Sequence, residues 1–194
     1  MARPRTVDDA DLLDAAMHAF WAKGYDGVST RALEEATGLP ASSLYHRYGS
    51  KDGLFAATLA HYNQRVIAAR IARWLDAGAQ PDARTGLREF FTSVYRARGP
   101  YRACLLANTA ASPGPHPPAV RAALQDGGER LRAAFAAAVQ RGIEQGSLRR
   151  DLDTAVAAEY LLAGLRGLLA TARIQRDPET LDAIVDLMLG GLAA

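Results

Sequence analysis

The sequence predicts an all-α fold. Apolar residues recur at three- and four-residue spacing through every long segment. No β-branched alternating run is bounded by turns. The breaks fall on helix-incompatible clusters: Gly38-Leu39-Pro40, Gly78-Ala79-Gln80-Pro81, and the proline-rich stretch 112–118. With 194 residues, 49% of them hydrophobic, the chain suffices for one sizeable core or a small domain plus a larger one. No window holds 18 consecutive apolar residues, so no membrane span is expected. The start, Met1-Ala2-Arg3-Pro4-Arg5-Thr6, leads into acidic residues and does not read as a secretory signal. A single cysteine, Cys104, allows no internal disulfide, which suits a reducing cytoplasm.

About nine helices follow in order. The first covers residues 8–23, where Leu12, Leu13, Ala16, Met17, Phe20 and Trp21 form one stripe. Thr6 or Asp8 caps it, and Gly24 ends it. Ser29 and Thr30 open a second helix that stops at Gly38, and a third runs from Ala41 to Gly49. Ser50 caps a long fourth helix over residues 51–76. A fifth spans residues 81–98 and a short sixth 102–111. The seventh, residues 118–145, is expected to bend at Gly127-Gly128. An apolar eighth (153–176) and a ninth (178–192) complete the chain. The order of elements divides it into a helix-turn-helix segment, 1–50, and a longer helical segment, 51–194.

Residues 29–51 carry the clearest chemical signal. Two short helices joined by a tight turn are the layout of a unit that enters a DNA major groove. The second helix offers free N–H groups to phosphate at its start, with the Thr30 hydroxyl beside them. Arg31 is long enough to reach a guanine edge. Ala41, Ser42 and Ser43 occupy the first turn of the third helix, where small side chains admit close approach to bases. Tyr45 suits a phosphate or a thymine methyl, Arg47 a base or a phosphate, and Lys51 a phosphate. Leu33, Ala36, Leu39, Leu44 and Tyr48 are expected to face inward. Arg3 and Arg5 suit an arm in the adjacent minor groove. Residues 1–51 hold six Arg/Lys against seven Asp/Glu, so DNA affinity must rest on placed side chains, not bulk charge.

The series Phe20, Gly24-Tyr25, Val28-Ser29-Thr30-Arg31, Leu33, Ala36, Gly38, Leu44-Tyr45, Tyr48, Ser50-Lys51 and Leu54 resembles the TetR family of bacterial transcriptional repressors. The resemblance is dense over residues 8–60. It implies a three-helix DNA-binding head and a helical ligand-binding body that dimerises through its last two helices. The partners implied are a double-stranded DNA operator, a small-molecule effector and a second copy of the chain. Carried over by position, Thr30, Arg31, Ser42, Ser43, Tyr45, Arg47 and Lys51 become DNA-contact residues, with His46 as an extra contact. Arg47 stands where the family prefers an aromatic or His, which leaves base preference there open.

In the body, the last helical hairpin is more hydrophobic than one flank of a monomer needs. Leu161, Gly164, Leu165, Leu168, Leu181, Ile184, Val185 and Met188 are its expected dimer contacts. An effector pocket is expected among Tyr62, Phe91, Tyr95, Tyr101, Cys104, Asn108, Phe135, Tyr160 and Arg166. Arg166, inside an apolar helix, suits an acidic ligand or pairs with Glu159. No metal site, cofactor motif or catalytic spacing is found, and no enzymatic activity is expected. The favoured reading is a repressor released from a palindromic operator by a small molecule. Two alternatives stay open: a redox or electrophile sensor acting through Cys104, with Arg98 and Arg102 nearby, or a helical enzyme or binding protein with a vestigial head.

Overall fold

The structure, a computed structural model, describes residues 8–96, 104–174 and 177–194. Arg3, Arg5, Arg98, Tyr101 and Arg102 lie outside the described residues. The described chain is helical, with one isolated β-bridge between Leu148 and Ala193.

Helix α1 (Asp9–Gly27) is capped by the Asp8 carboxylate, which accepts from the Ala10 N–H. Its path breaks at Gly24, where φ is 73° and ψ 169°. The break turns Tyr25 back onto the core, its ring 5.0 Å from Phe55 and 6.3 Å from Phe20. Helix α2 (Thr30–Thr37) is capped by Ser29 and ends on the left-handed Gly38. Its buried face is Leu33 and Thr37; Ala36, expected inward, is exposed because an eight-residue helix buries only a narrow stripe. Helix α3 (Ala41–Tyr48) follows directly.

Helix α4 (Lys51–Tyr62), a five-residue π turn (Asn63–Ile67) and α5 (Ala68–Trp74) form one uninterrupted rod. Counted as one, it gives nine helices among the described residues, with α6 (Ala83–Arg96), α7 (Leu105–Ala110), α8 (Pro118–Glu144), α9 (Thr154–Ile174) and α10 (Pro178–Gly190). The π turn is where the sequence expectation of a plain long helix falls short. Its first residue, Asn63, is fully buried and donates from Nδ2 to the Ala123 carbonyl (2.9 Å) and to Asp126 (2.9 Å) on α8. An inserted residue in the helical ladder lets that side chain reach across.

Helix α8 is the axis of the body: α4, α6 and α9 all pack on it. It stays helical through Gly127-Gly128, contrary to the expected bend. Gly127 serves close packing instead, since a Cβ there would lie 2.6 Å from Asn63 Oδ1 and 2.4 Å from Leu106. Phe90, Phe91 and Phe135 cluster at 5.2–5.8 Å in the centre of the body, Phe91 stacked on Phe135 and Phe90 edge-on to both. Helix α9 is long and apolar enough by composition to cross a membrane, but Leu161, Leu162, Leu165, Leu168 and Leu169 are buried within the bundle. Helix α10 is braced to α6 by Tyr95 and Arg96 on Asp182 and by Arg88 on Asp186.

Candidate nucleic-acid interface and effector cavity

The head presents α2 and α3 side by side, and local chemistry fixes how they meet. Helix α3 has Pro40 at its start and no cap of its own; the Glu34 carboxylate of α2 accepts the Ala41 N–H at 2.6 Å. The Thr30 and Tyr45 hydroxyls lie 3.2 Å apart, joining the start of α2 to the middle of α3. Ser42, Ser43 and His46 are exposed on the same unit. Arg31 is extended into solvent and, among the described residues, pairs with Glu35, one turn along, at 2.9 Å. Such an exposed pair contributes little and yields readily to a stronger anion.

Arg47 and Lys51 are held more firmly. Arg47 pairs with Asp9 of α1 at 2.8 Å, and Asp9 also accepts from the Tyr48 hydroxyl at 3.1 Å. Lys51 Nζ lies 4.5 Å from the centre of the Tyr25 ring. Tyr25 donates to Asp52, and burial, reinforced by that carboxylate, pushes its pKa up to about 12. Tyr25 therefore stays a neutral donor and platform beneath Lys51. Sequence reasoning missed Glu34, Tyr25 and Asp9 as supports, because each acts across elements.

Gly53 lets α3 and α4 approach closely. A Cβ there would sit 1.9 Å from the Tyr48 carbonyl oxygen, so the start of α4 passes directly against the end of α3. Farther along α4, Asp14 of α1 receives both His61 (2.8 Å) and Arg65 (3.1 Å). The rod that begins under the DNA-facing unit is thus tied to α1 on one side and to α8, through Asn63, on the other.

Between α7, α8 and α9 lies a cavity of about 430 Å³. Cys104 and Arg166 line it, with Leu106, Leu131, Leu162 and Leu165. An adjoining cavity of about 220 Å³ holds Asn108, Arg166 and Arg173. A third, about 650 Å³, opens between α1 and α7 and is lined by Trp21, Tyr25, Asn108 and Arg173. The other expected pocket residues lie elsewhere. Phe91 and Phe135 are fully buried core, stacked on each other and out of reach of any ligand. Tyr62 is also fully buried; its hydroxyl donates to Cys104 Sγ at 3.4 Å, behind the cavity wall. Tyr95 is engaged by Asp182, and Tyr160 donates to the Met188 carbonyl at 3.1 Å. Glu159 pairs with Arg132 rather than with Arg166.

The expected dimer contacts need a similar correction. Leu161, Leu165, Leu168, Leu181 and Val185 are buried against the chain's own core. Gly164 admits Met188, whose Sδ would lie 2.3 Å from a Cβ there. Of that set only Ile184 is exposed; the free apolar surface is Val156 (66% exposed), Tyr160, Ile174 (89%), Ile184 and Leu187 (81%).

A sequence family described as bacterial regulatory proteins, tetR family, matches residues 12–58, and one described as tetracyclin repressor-like, C-terminal domain, matches residues 83–188. The chain belongs to the TetR family and is a DNA-binding transcriptional regulator. The HTH-type regulator YezE of Bacillus subtilis (strain 168) is 31% identical over 99% of this chain and its own whole length. The repressor DhaR of Mycobacterium sp. (strain GP1) is 26% identical over 97% of this chain and 93% of its own. The solved structure of the regulator CifR, a cysteine mutant bound to 26-bp double-strand operator DNA, is 34% identical with a TM-score of 0.82, covering 98% of this chain and all of that one.

Proposed function

We propose that the protein is a homodimeric cytoplasmic repressor, without enzymatic activity, that leaves its operator when a small molecule enters the body. The observation that carries this reading is the single rod of α4, π turn and α5. One end bears Lys51 beneath the DNA-facing unit, and the middle, at Asn63, is bonded to α8, the helix that forms one wall of the cavity. Residues 1–50 act as the head and 51–194 as the body. Thr30, Arg31, Ala41, Ser42, Ser43, Tyr45, His46, Arg47 and Lys51 form the DNA face. The outward apolar residues of α9 and α10 meet a second copy, as two more helices of a four-helix bundle. Support for repression comes from the relative DhaR, itself described as a repressor.

A gel shift against the DNA upstream of its own gene tests the reading. A shifted band that Arg31→Ala spreads over altered base sequences is expected. No band at low salt overturns it.

Cys104 supports a second reading, because it is the only cysteine, lines the cavity and accepts the Tyr62 hydroxyl. Operator release by an oxidant in the wild type but not in Cys104→Ser is the expected sign; equal release in both removes it.

A further inference from the structure

The two cavities beside α9 are lobes of one site. Ala107, Ala110, Arg166 and Leu169 line both, which places Arg166 on the divide. The sign of the charged side chains differs between the lobes. The large lobe combines a wall of leucines from α7, α8 and α9 with Gln125, Glu129 and Arg132 on α8, while the small one holds Asn108, Arg166 and Arg173 with no acid among its described lining residues. Arg166 and Arg173 stand seven residues apart, two turns along one face of α9. Arg173 donates to Asn108 Oδ1 at 3.3 Å, and Arg166 has no ion pair among the described residues. In the large lobe Arg132 is neutralised by Glu159, and Glu129 is the remaining acid. Three arginines against two glutamates leave the whole site one positive charge in surplus.

We propose that this bilobed site binds a small monocarboxylate with an apolar body. The proposal rests on the effector reading above and names the ligand class of that site. The carboxylate lies in the small lobe between the forks of Arg166 and Arg173, whose planar donors match its two oxygens. The hydrocarbon or aryl body fills the leucine-walled lobe, where its transfer from water is favourable. Glu129 disfavours a second negative charge on the ligand. Arg173 and Asn108 also line the crevice against α1. A carboxylate that draws the Arg173 fork away from Asn108 loosens α7 at its contact with the head.

Calorimetric titration of the full-length protein with octanoate and phenylacetate, each against its amide, tests the proposal. Each acid should bind at least about tenfold more tightly than its amide, the size expected for losing a charge-assisted hydrogen bond. Arg166→Gln and Arg173→Gln should each narrow that preference and the double variant erase it, with unchanged unfolding midpoints certifying the fold. Arg166→Lys should keep part of it. Equal affinity of acid and amide, no binding of either acid, or a preference that survives in the double variant would each overturn the proposal. Operator release is read separately by gel shift. Arginine-dependent acid binding without release supports the ligand class and removes the effector role.

Discussion

Gly53 and Lys51 sit two residues apart and govern different properties. At Gly53 any side chain meets the Tyr48 carbonyl, a backbone atom that cannot swing aside. Gly53→Ala should lower stability by about 1–3 kcal/mol, as overpacking does, and shift the melting midpoint down by several degrees. Thermal unfolding followed by circular dichroism reads this. Lys51→Ala leaves the packing intact and removes one positioned cation. Its affinity for every DNA sequence should fall together, and the slope of log affinity against log salt should flatten by about one. The caps Ser29, Gly38 and Ser50 were readable one residue at a time, because a cap is a local device. Gly53 was not, since its constraint comes from a turn folded back over it.

Among elements, the α6–α10 brace is sensitive to pH. The Tyr95 hydroxyl, then Arg96, holds the Asp182 carboxyl below its usual range, and Arg88 does the same for Asp186. Both folded-state pKa values lie below the unfolded ones. The contribution is therefore complete above the unfolded value, near 4, and is lost as pH falls through the folded values. Asp182→Asn should melt below wild type at neutral pH, and the gap should shrink on acidification below about pH 4. A gap of constant size from pH 7 to pH 3 would remove the brace as its cause. At this scale the periodicity of α9 and α10 was legible, but not its direction. A leucine stripe looks the same whether it faces its own core or a partner, so Leu161 and Leu165 read as contacts while Leu187 went unnoticed. The π turn was also invisible, because Asn63 earns its place only from the α8 carbonyl it reaches.

For the whole molecule, the exposed Ile174, Ile184 and Leu187 predict self-association. Leu187→Asp should give a monomer by sedimentation equilibrium and weaken operator binding by orders of magnitude, since the two heads then bind independently. A dimer that persists in this variant would move the interface elsewhere. The family was legible from a third of the chain because a helix-turn-helix constrains sequence tightly. The cavity was legible only in part: Cys104, Asn108 and Arg166 were found, whereas Arg173 lacked any local mark of a role.

The π turn also fixes the gearing of the molecule. The 12 residues of α4 above it rise about 18 Å, so a hinge at Asn63 would make that helix a short lever. A tilt of about 10° there carries the DNA face by about 3 Å. Across a two-fold axis the separation of the heads changes by up to about 6 Å, nearly two base-pair steps of about 3.4 Å each. Half-sites spaced by the pitch of the duplex do not follow such a stretch, so a tilt of that size would unseat both heads.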